Sequence, residues 1–220
     1  MASKKKVVVA GYGAWAMTST NPAALTIAQL AGETWPNCDL VSLEVPVRTQ
    51  GLWPLIEETL VRERPDIWLG VGVAPRIMSI RMEAVGVNCR DFEVADNDGV
   101  KLEGAPVLDG GPAAYFSTLP SRAVVAAMRE AGIPAELSYS AGTHLCNQML
   151  YTTLHLIAQK GLSTQSGFLH VPYTPEFVAE RQAEDGLQPS LPVSVMAQAA
   201  RVCIDLSLER LQSRGERKTA

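Results

Sequence analysis

Residues 67–73 read Ile-Trp-Leu-Gly-Val-Gly-Val, which is a continuous apolar run. The indole N–H of Trp68 is its single polar side-chain group. A strand with one solvent-facing side alternates apolar and polar residues, whereas a strand buried on both faces gives an uninterrupted apolar run of this length. Strands of the second kind occur in parallel sheets that helices cover on both sides. The segment therefore predicts an interior strand of an α/β layered fold.

Strand-like and helix-like segments alternate on both sides of this run. Those before it are a strand at 6–10, a helix at 21–31 that opens with Asn-Pro, a strand at 40–47 and a helix at 52–64. Those after it are strands at 85–88, 135–140 and 168–171 and helices at 121–131, 143–160, from about 175, and at 191–212, while turn signals predict a long loop over 95–120. This order predicts a single α/β catalytic domain over 1–212, with a twisted, mostly parallel sheet and helices on both faces, and a polar C-terminal tail over 213–220.

Composition excludes several classes of protein. The 220 residues include 19 Lys and Arg against 23 Asp and Glu, a formal charge of −4, and a nucleic-acid binder needs a basic surplus instead. No apolar segment reaches the roughly 18 residues of a membrane span, and the apolar residues after the leading lysines are too few for a signal peptide. We therefore expect a cytoplasmic protein without a membrane or nucleic-acid partner. The four cysteines include no Cys-x-x-Cys pair, which argues against a disulfide scaffold or a structural metal.

The segment Gly11-Tyr12-Gly13-Ala14-Trp15-Ala16 matches the dinucleotide fingerprint G-x-G-x-x-A only formally. A loop that cradles phosphates needs the helix to begin at once, but here the helix begins some ten residues later, at Asn21-Pro22. We expect no nicotinamide or flavin cofactor. Tyr12 and Trp15 could clamp a flat small ligand, although their spacing alone favours packing against the core.

Cys146 lies just after a small-residue turn, in Ala141-Gly142-Thr143-His144-Leu145-Cys146-Asn147. A cysteine in the first turn of a helix feels the positive end of the helix dipole, which lowers the pKa of its thiol, although a lone cysteine is more often a buried structural residue. A thiol nucleophile needs a base. His170 ends a short apolar strand and is the best candidate, and Glu83 is the best carboxylate to orient its imidazole.

Together, these segments resemble the pyroglutamyl peptidase family, cysteine exopeptidases that remove an N-terminal pyroglutamyl residue. The resemblance covers nearly the whole chain. Its strongest parts are Asp96-Asn97-Asp98-Gly99, Gly111-Pro112-Ala113-Ala114-Tyr115 with Leu119-Pro120, Ser140-Ala141-Gly142-Thr143 with Cys146-Asn147, and Gly167-Phe168-Leu169-His170-Val171-Pro172-Tyr173.

The resemblance implies a role for each candidate residue. It makes Cys146 the nucleophile, His170 the general base and acid, and Glu83 the carboxylate that orients the imidazole, in an acyl transfer through a thioester that needs no metal or organic cofactor. It places the pyroglutamyl or lactam substrate against Tyr12, Trp15, Asn21, Val73, Val94 and His144. Members of the family often form homodimers or homotetramers, and we expect the same of this chain.

The sequence departs from the family pattern at several positions near the predicted site. Ala84 follows Glu83 where the family has Arg, Pro75-Arg76 replace a glycine pair, Trp15-Ala16-Met17 replace Phe-Gly-Gly, and His144 replaces an aromatic residue. Glu93 replaces an arginine, which reverses a charge near the nucleophile. Because a neighbouring carboxylate raises the pKa of a thiol, Glu93 either points away, is compensated by Arg76, Arg81 or Arg90, or belongs to a different substrate.

We therefore predict that the hydrolytic chemistry is retained and that Glu93 acts as a specificity switch. Two alternatives are a cysteine amidase of the same fold that acts on another small lactam or N-acyl compound, and a catalytically silent homologue that binds a ligand.

Overall fold

A computed structural model describes residues 4–15 and 20–219, with side chains described up to residue 213 of the last helix. Its strands are β1 (Lys5–Tyr12), β2 (Cys38–Val45), β3 (Ile67–Val73), β4 (Ile80–Glu83), β5 (Val85–Val87), β6 (Ala114–Phe116), β7 (Ala135–Ser138) and β8 (Gln165–Val171). Its helices are α1 (Pro22–Ala31), α2 (Leu52–Glu63), α3 (Ser121–Glu130), α4 (Leu145–Gln159), α5 (Pro175–Asp185) and α6 (Val193–Thr219). None of these helices has the length and apolar content that crossing a bilayer requires.

Six strands form the main sheet, in the order β2-β1-β3-β8-β4-β7. Neighbouring strands are parallel throughout except β8 and β4, which pair antiparallel. The run at residues 67–73 is an interior strand, β3, between β1 and β8. The predicted fold class, an α/β fold with a mostly parallel sheet, is confirmed.

Helices cover both faces of the sheet. Because successive residues of a strand point to opposite sides, each strand contributes residues to both faces. On one face, Val7 and Val9 of β1 join a buried cluster that includes residues of α1, α3 and α6. On the other face, Val8 and Ala10 join a second cluster with residues of α2 and α4. The second face carries the helix that begins beside Cys146 and therefore carries the candidate site.

Three features differ from the sequence-based expectations. The strand β4 was not predicted, because its four residues, Ile-Arg-Met-Glu, alternate apolar and charged side chains over too short a length to show a period. The segment predicted as a strand at 85–88 pairs with the unpredicted β6 in a separate two-stranded sheet. The last helix does not end at residue 212 but continues to Thr219, through the segment predicted as a tail, which is rich in helix-forming Glu, Arg and Lys.

Candidate active site

A cleft of about 790 Å³ lies where the carboxyl ends of β1, β3 and β8 meet the beginning of α4. Ligands of open α/β sheets bind at this edge, because the loops that follow parallel strands converge there. All but one of the predicted site residues line the cleft. Those that line it are Tyr12, Trp15, Asn21, Val73, Glu93, Val94, His144, Cys146 and His170. The exception, Glu83, lies behind His170.

Cys146 is the second residue of α4. A turn with Gly142 in the left-handed region leads into this helix, and the residue before it, His144, provides no side-chain cap. The positive end of the helix dipole is therefore open towards the cleft, where it attracts negative charge. The amide groups of the first turn point the same way and are suitable donors for an oxyanion.

Glycine at position 72 makes room for this cysteine. A Cβ added to Gly72 would lie 2.6 Å from Sγ of Cys146 and 2.8 Å from the ring of Phe168. Any side chain at position 72 would therefore displace the sulfur or the phenyl ring.

His170 connects the cysteine to a buried carboxylate. Its Nδ1 lies 2.8 Å from Oε1 of Glu83, which has no exposed surface, and its imidazole lies beside the side chain of Cys146, close enough for the sulfur to influence its pKa. The antiparallel register of β4 and β8 pairs Arg81 with His170, so that Glu83, two residues further along β4, lies diagonally across on the same face. The structure therefore brings Cys146, His170 and Glu83 together.

The surroundings of His170 set its pKa. Burial alone lowers this pKa, because it disfavours the imidazolium. The neighbouring Cys146 side chain, followed by the hydrogen bond and charge of Glu83, outweighs burial and raises the pKa to about 9. The ring of Phe168 also packs edge-on against the imidazole, with 5.0 Å between ring centroids. The geometry thus favours a charged imidazolium beside the sulfur at neutral pH.

Tyr12 and Asn21 are held more rigidly than a loop clamp would be. Tyr12 ends strand β1, is 3% exposed, and its hydroxyl donates a 2.6 Å hydrogen bond to the carbonyl oxygen of Leu145. Burial raises the pKa of Tyr12, and the charge of Cys146 adds to this effect. Asn21 caps α1 by accepting from the amide of Ala23, and it donates to the carbonyl of Gly13. Ala16 and Met17 lie outside the described residues.

His144 and Val94 form one side of the cleft. Nε2 of His144 lies 2.9 Å from the carbonyl oxygen of Val94, and its ring packs on Phe92 with 4.2 Å between centroids. Burial lowers the pKa of His144, so the neutral ring donates this hydrogen bond. The contact ties the segment around residue 94 to the start of α4.

Glu93 is exposed, lines the cleft and forms no ion pair with the described part of the chain. Arg81 is instead paired with Glu136 at 2.7 Å. Arg90 donates to the carbonyl of Pro106 and to the hydroxyl of Thr49, and Arg76 is exposed without an acidic partner among the described residues. None of the three arginines therefore compensates Glu93 by direct pairing.

A family model described as pyroglutamyl peptidase matches residues 5–210. The chain belongs to the pyroglutamyl peptidase family. It is 36% identical over 206 residues to the pyrrolidone-carboxylate peptidase of Pyrococcus furiosus, covering 94% of this chain and 99% of the relative. It is 34% identical to pyrrolidone-carboxylate peptidase 1 of Ralstonia nicotianae, with 93% of each chain covered. The crystal structure of the Pyrococcus furiosus pyrrolidone carboxyl peptidase superposes with a TM-score of 0.90 at 36% identity, covering 94% of this chain and 99% of that one.

The match confirms the sequence-based assignment to the pyroglutamyl peptidase family and, with it, the prediction of a cysteine-type hydrolase on an α/β fold.

Sequence reasoning missed four residues of the site in this pyroglutamyl peptidase family member. Gly72 and Phe168 shape the space around the sulfur, and Asp91 lines the cleft beside Glu93. Asn147 is buried, accepts from the amide of Val87 and donates to the carbonyls of residues 87 and 89. Asn147 is part of the motif with Cys146 that is given above for the family resemblance. Nothing in the neighbouring sequence indicated that its side-chain amide would bind the backbone of residues 87 and 89, which are far away in the chain.

Proposed function

We propose that this chain hydrolyses the amide bond that follows an N-terminal pyroglutamyl residue, with Cys146 as the nucleophile. The single observation that carries this proposal is the contact chain from Cys146 through His170 to the buried carboxylate of Glu83. A thiol at a helix start, a base in contact with it and a carboxylate that orients the base are the parts that nucleophilic catalysis needs. Membership of the pyroglutamyl peptidase family supports the choice of substrate.

The reaction is an acyl transfer in two halves. His170 holds the proton of the Cys146 thiol as an imidazolium, and the thiolate attacks the pyroglutamyl carbonyl carbon while amides of the first turn of α4 stabilise the oxyanion. The imidazolium then gives its proton to the departing amine as the C–N bond breaks and a thioester forms. Water, deprotonated by His170, attacks the thioester, and the C–S bond breaks to release pyroglutamate and the thiol.

The neutral lactam ring fits the side of the cleft that Tyr12 and Trp15 line. Flat aromatic walls with few polar groups suit such a ring, and polar backbone groups then fix its orientation. We assign the backbone of Val73 to the lactam group, and Val94 and His144 to the ring pocket. Asn21 holds the loop that carries Trp15 through its bond to Gly13.

Glu93 favours a second candidate function that uses the same hydrolysis of an amide by a thiol. Its unpaired carboxylate in the cleft attracts a substrate with a cationic group near the ring and disfavours an anionic one. A cysteine amidase that acts on such a lactam or N-acyl compound is therefore the alternative, and Glu93 is its specificity switch.

We also propose a cytoplasmic location and a homodimeric or homotetrameric assembly. All four cysteines are free, and a thiol nucleophile requires a compartment that keeps it reduced. Met78 and Leu187 are 78% and 79% exposed, which leaves apolar surface for contacts between copies. Light scattering coupled to size exclusion measures the assembly directly.

The decisive test is a substrate panel on the purified wild type, Cys146→Ser and Cys89→Ser. We expect the wild type and Cys89→Ser to release the fluorophore from a pyroglutamyl amide, and Cys146→Ser to lose this activity while remaining folded. Wild-type cleavage of cationic lactam or N-acyl amides alone would support the amidase. No turnover of any amide, together with alkylation of Cys146 no faster than that of an ordinary exposed thiol, would support a silent homologue.

A further inference from the structure

A second groove, of about 430 Å³, adjoins the active-site cleft and shares Leu137 and Tyr139 with it as wall residues. We call it the arginine groove and define it by Ala84, Phe116, Leu137, Tyr139, Arg122 and Arg210. The reaction proposed above uses none of these side chains.

The order of the strands places this groove on the leaving-group side. We have proposed that the substrate ring lies beside Tyr12, at the carboxyl end of β1, whereas Cys146 lies against Gly72 of β3 and His170 belongs to β8, in the middle of the sheet. The strand β7 follows at the far edge, and Leu137 and Tyr139 lie on it and just after it. A substrate whose ring points towards β1 therefore extends its leaving peptide towards β7.

The groove offers positive charge to that peptide. Arg122 is the second residue of α3, and Arg210 comes from α6. Both are exposed, neither forms an ion pair within the described residues, and no acidic residue is among those that line the groove. The helix α3 also begins without a side-chain cap, which adds the positive end of its dipole.

The remaining walls suit a short peptide. Ala84 directly follows Glu83 and contributes only a small side chain to the lining of the groove. Phe116 and Tyr139 are 70% and 56% exposed and offer aromatic surface at the rim. The guanidinium of Arg122 donates a 2.9 Å hydrogen bond to the hydroxyl of Tyr139, which orients both side chains at the junction between groove and cleft.

We propose that the arginine groove binds the C-terminal carboxylate of the leaving peptide through Arg122 and Arg210. Guanidinium groups match a carboxylate in geometry and charge. Strands in a sheet lie about 4.8 Å apart, so the lateral distance from β8 to the edge strand β7 is about 10 Å. Because α3 and α6 cover the face opposite to α4, the leaving peptide must also pass the end of β7, and it needs at least about three extended residues to reach the arginines. The enzyme therefore prefers short pyroglutamyl peptides with a free C-terminus. This inference rests on the proposed function.

The test compares pyroglutamyl peptides of two to six residues, each as free acid and as C-terminal amide, on the wild type and on Arg122→Gln/Arg210→Gln. For peptides of about four or five residues, we expect the wild type to show a KM about fivefold to tenfold lower for the acid than for the amide, as charge-assisted hydrogen bonds allow. The double variant should lose this difference and should cleave a pyroglutamyl fluorogenic amide, which has no carboxylate, at the wild-type rate. Arg64→Gln removes one charge from the residue that follows α2, which does not line the groove, and should keep the preference.

Equal KM values for acid and amide at every length would overturn the proposal, as would a preference that survives in the double variant. A double variant that changes the oligomeric state without changing the preference would identify the groove as an interface between copies and would also overturn it. Because the fluorogenic amide reports the basic activity, failure of the proposed function would appear separately, as a wild type that does not cleave this amide.

Discussion

Nδ1 of His170 and Oε1 of Glu83 lie 2.8 Å apart between two antiparallel strands, 87 positions apart in the chain. The carboxylate is fully buried, and its other oxygen has no hydrogen-bond partner among the described residues. A buried carboxylate is costly unless a partner stabilises its charge. The Glu83 carboxylate therefore depends on a positive imidazolium at His170, and this imidazolium in turn depends on the carboxylate. This mutual dependence makes the protonation of His170 the property to test first.

The pH dependence of hydrolysis should show an alkaline limit set by His170. Its pKa is raised to about 9, so the imidazolium that protonates the leaving amine persists through neutral pH. As pH rises through about 9, this proton is lost, and kcat/KM for the pyroglutamyl amide should fall. A profile measured from pH 5 to 10.5 checks this, and an alkaline limit near the ordinary histidine pKa of about 6.5 would contradict it.

Replacing Glu83 with Gln should move that limit to lower pH. The substitution removes the negative charge that helps to raise the pKa of His170, so the imidazole loses its proton earlier. We expect kcat to fall by about 10²-fold to 10⁴-fold, the range of general acid–base catalysis. Glu57→Gln, at a surface pair with Lys160, is the matched control and should leave the profile unchanged. An unshifted limit in Glu83→Gln would show that Glu83 does not set this pKa.

Gly72→Ala should impair catalysis through the position of the sulfur. The added Cβ would lie 2.6 Å from Sγ of Cys146, too close for either atom to stay in place. We expect a loss of about 10²-fold in kcat and about 1–3 kcal/mol in the free energy of unfolding. Gly32→Ala is the control, since its Cβ would meet only an ordinary contact at 3.5 Å. Wild-type kinetics in a folded Gly72→Ala would refute this account.

Glu93→Arg should change substrate preference without changing the fold. Glu93 is exposed and has no ion pair in the described chain, so its replacement leaves no partner unsatisfied. For amides with a cationic group near the ring, we expect kcat/KM to fall by about twofold to fivefold, which is the scale of an exposed ion pair. For neutral pyroglutamyl amides, we expect kcat/KM to stay unchanged. Glu103→Arg, also exposed, controls for net charge. Equal changes for both substrates would argue against a specificity role.

Tyr12→Phe should separate the ring of Tyr12 from its hydroxyl. The phenyl ring remains available to the substrate, but the buried hydrogen bond to the carbonyl of Leu145 is lost. We expect the free energy of unfolding to fall by about 1 kcal/mol, while KM for the pyroglutamyl amide stays within about twofold. Urea denaturation and steady-state kinetics measure the two quantities. A large rise in KM with unchanged stability would mean that the hydroxyl contacts the substrate.

Local patterns in the sequence were sufficient for most of the framework. The apolar run at 67–73 predicted an interior strand, and the small-residue turn before Cys146 predicted a helix start, because both signals depend on neighbours within a few residues. His170 at a strand end followed from the same kind of pattern. The quoted motifs then indicated the family, since they combine these positions in one order along the chain.

Only the tertiary structure decided how these parts meet. The strand β4 enters the sheet antiparallel beside β8, and this pairing, which no local period reveals, places Glu83 against His170. Gly72 faces the sulfur of Cys146 only because β3 packs beneath the start of α4. Arg122 and Arg210 share a groove although α3 and α6 are far apart in the chain. The sequence indicated most of the helices and strands, although not β4 and β6, whereas packing between distant segments determined which residues are neighbours, because such contacts depend on the folding of the whole chain.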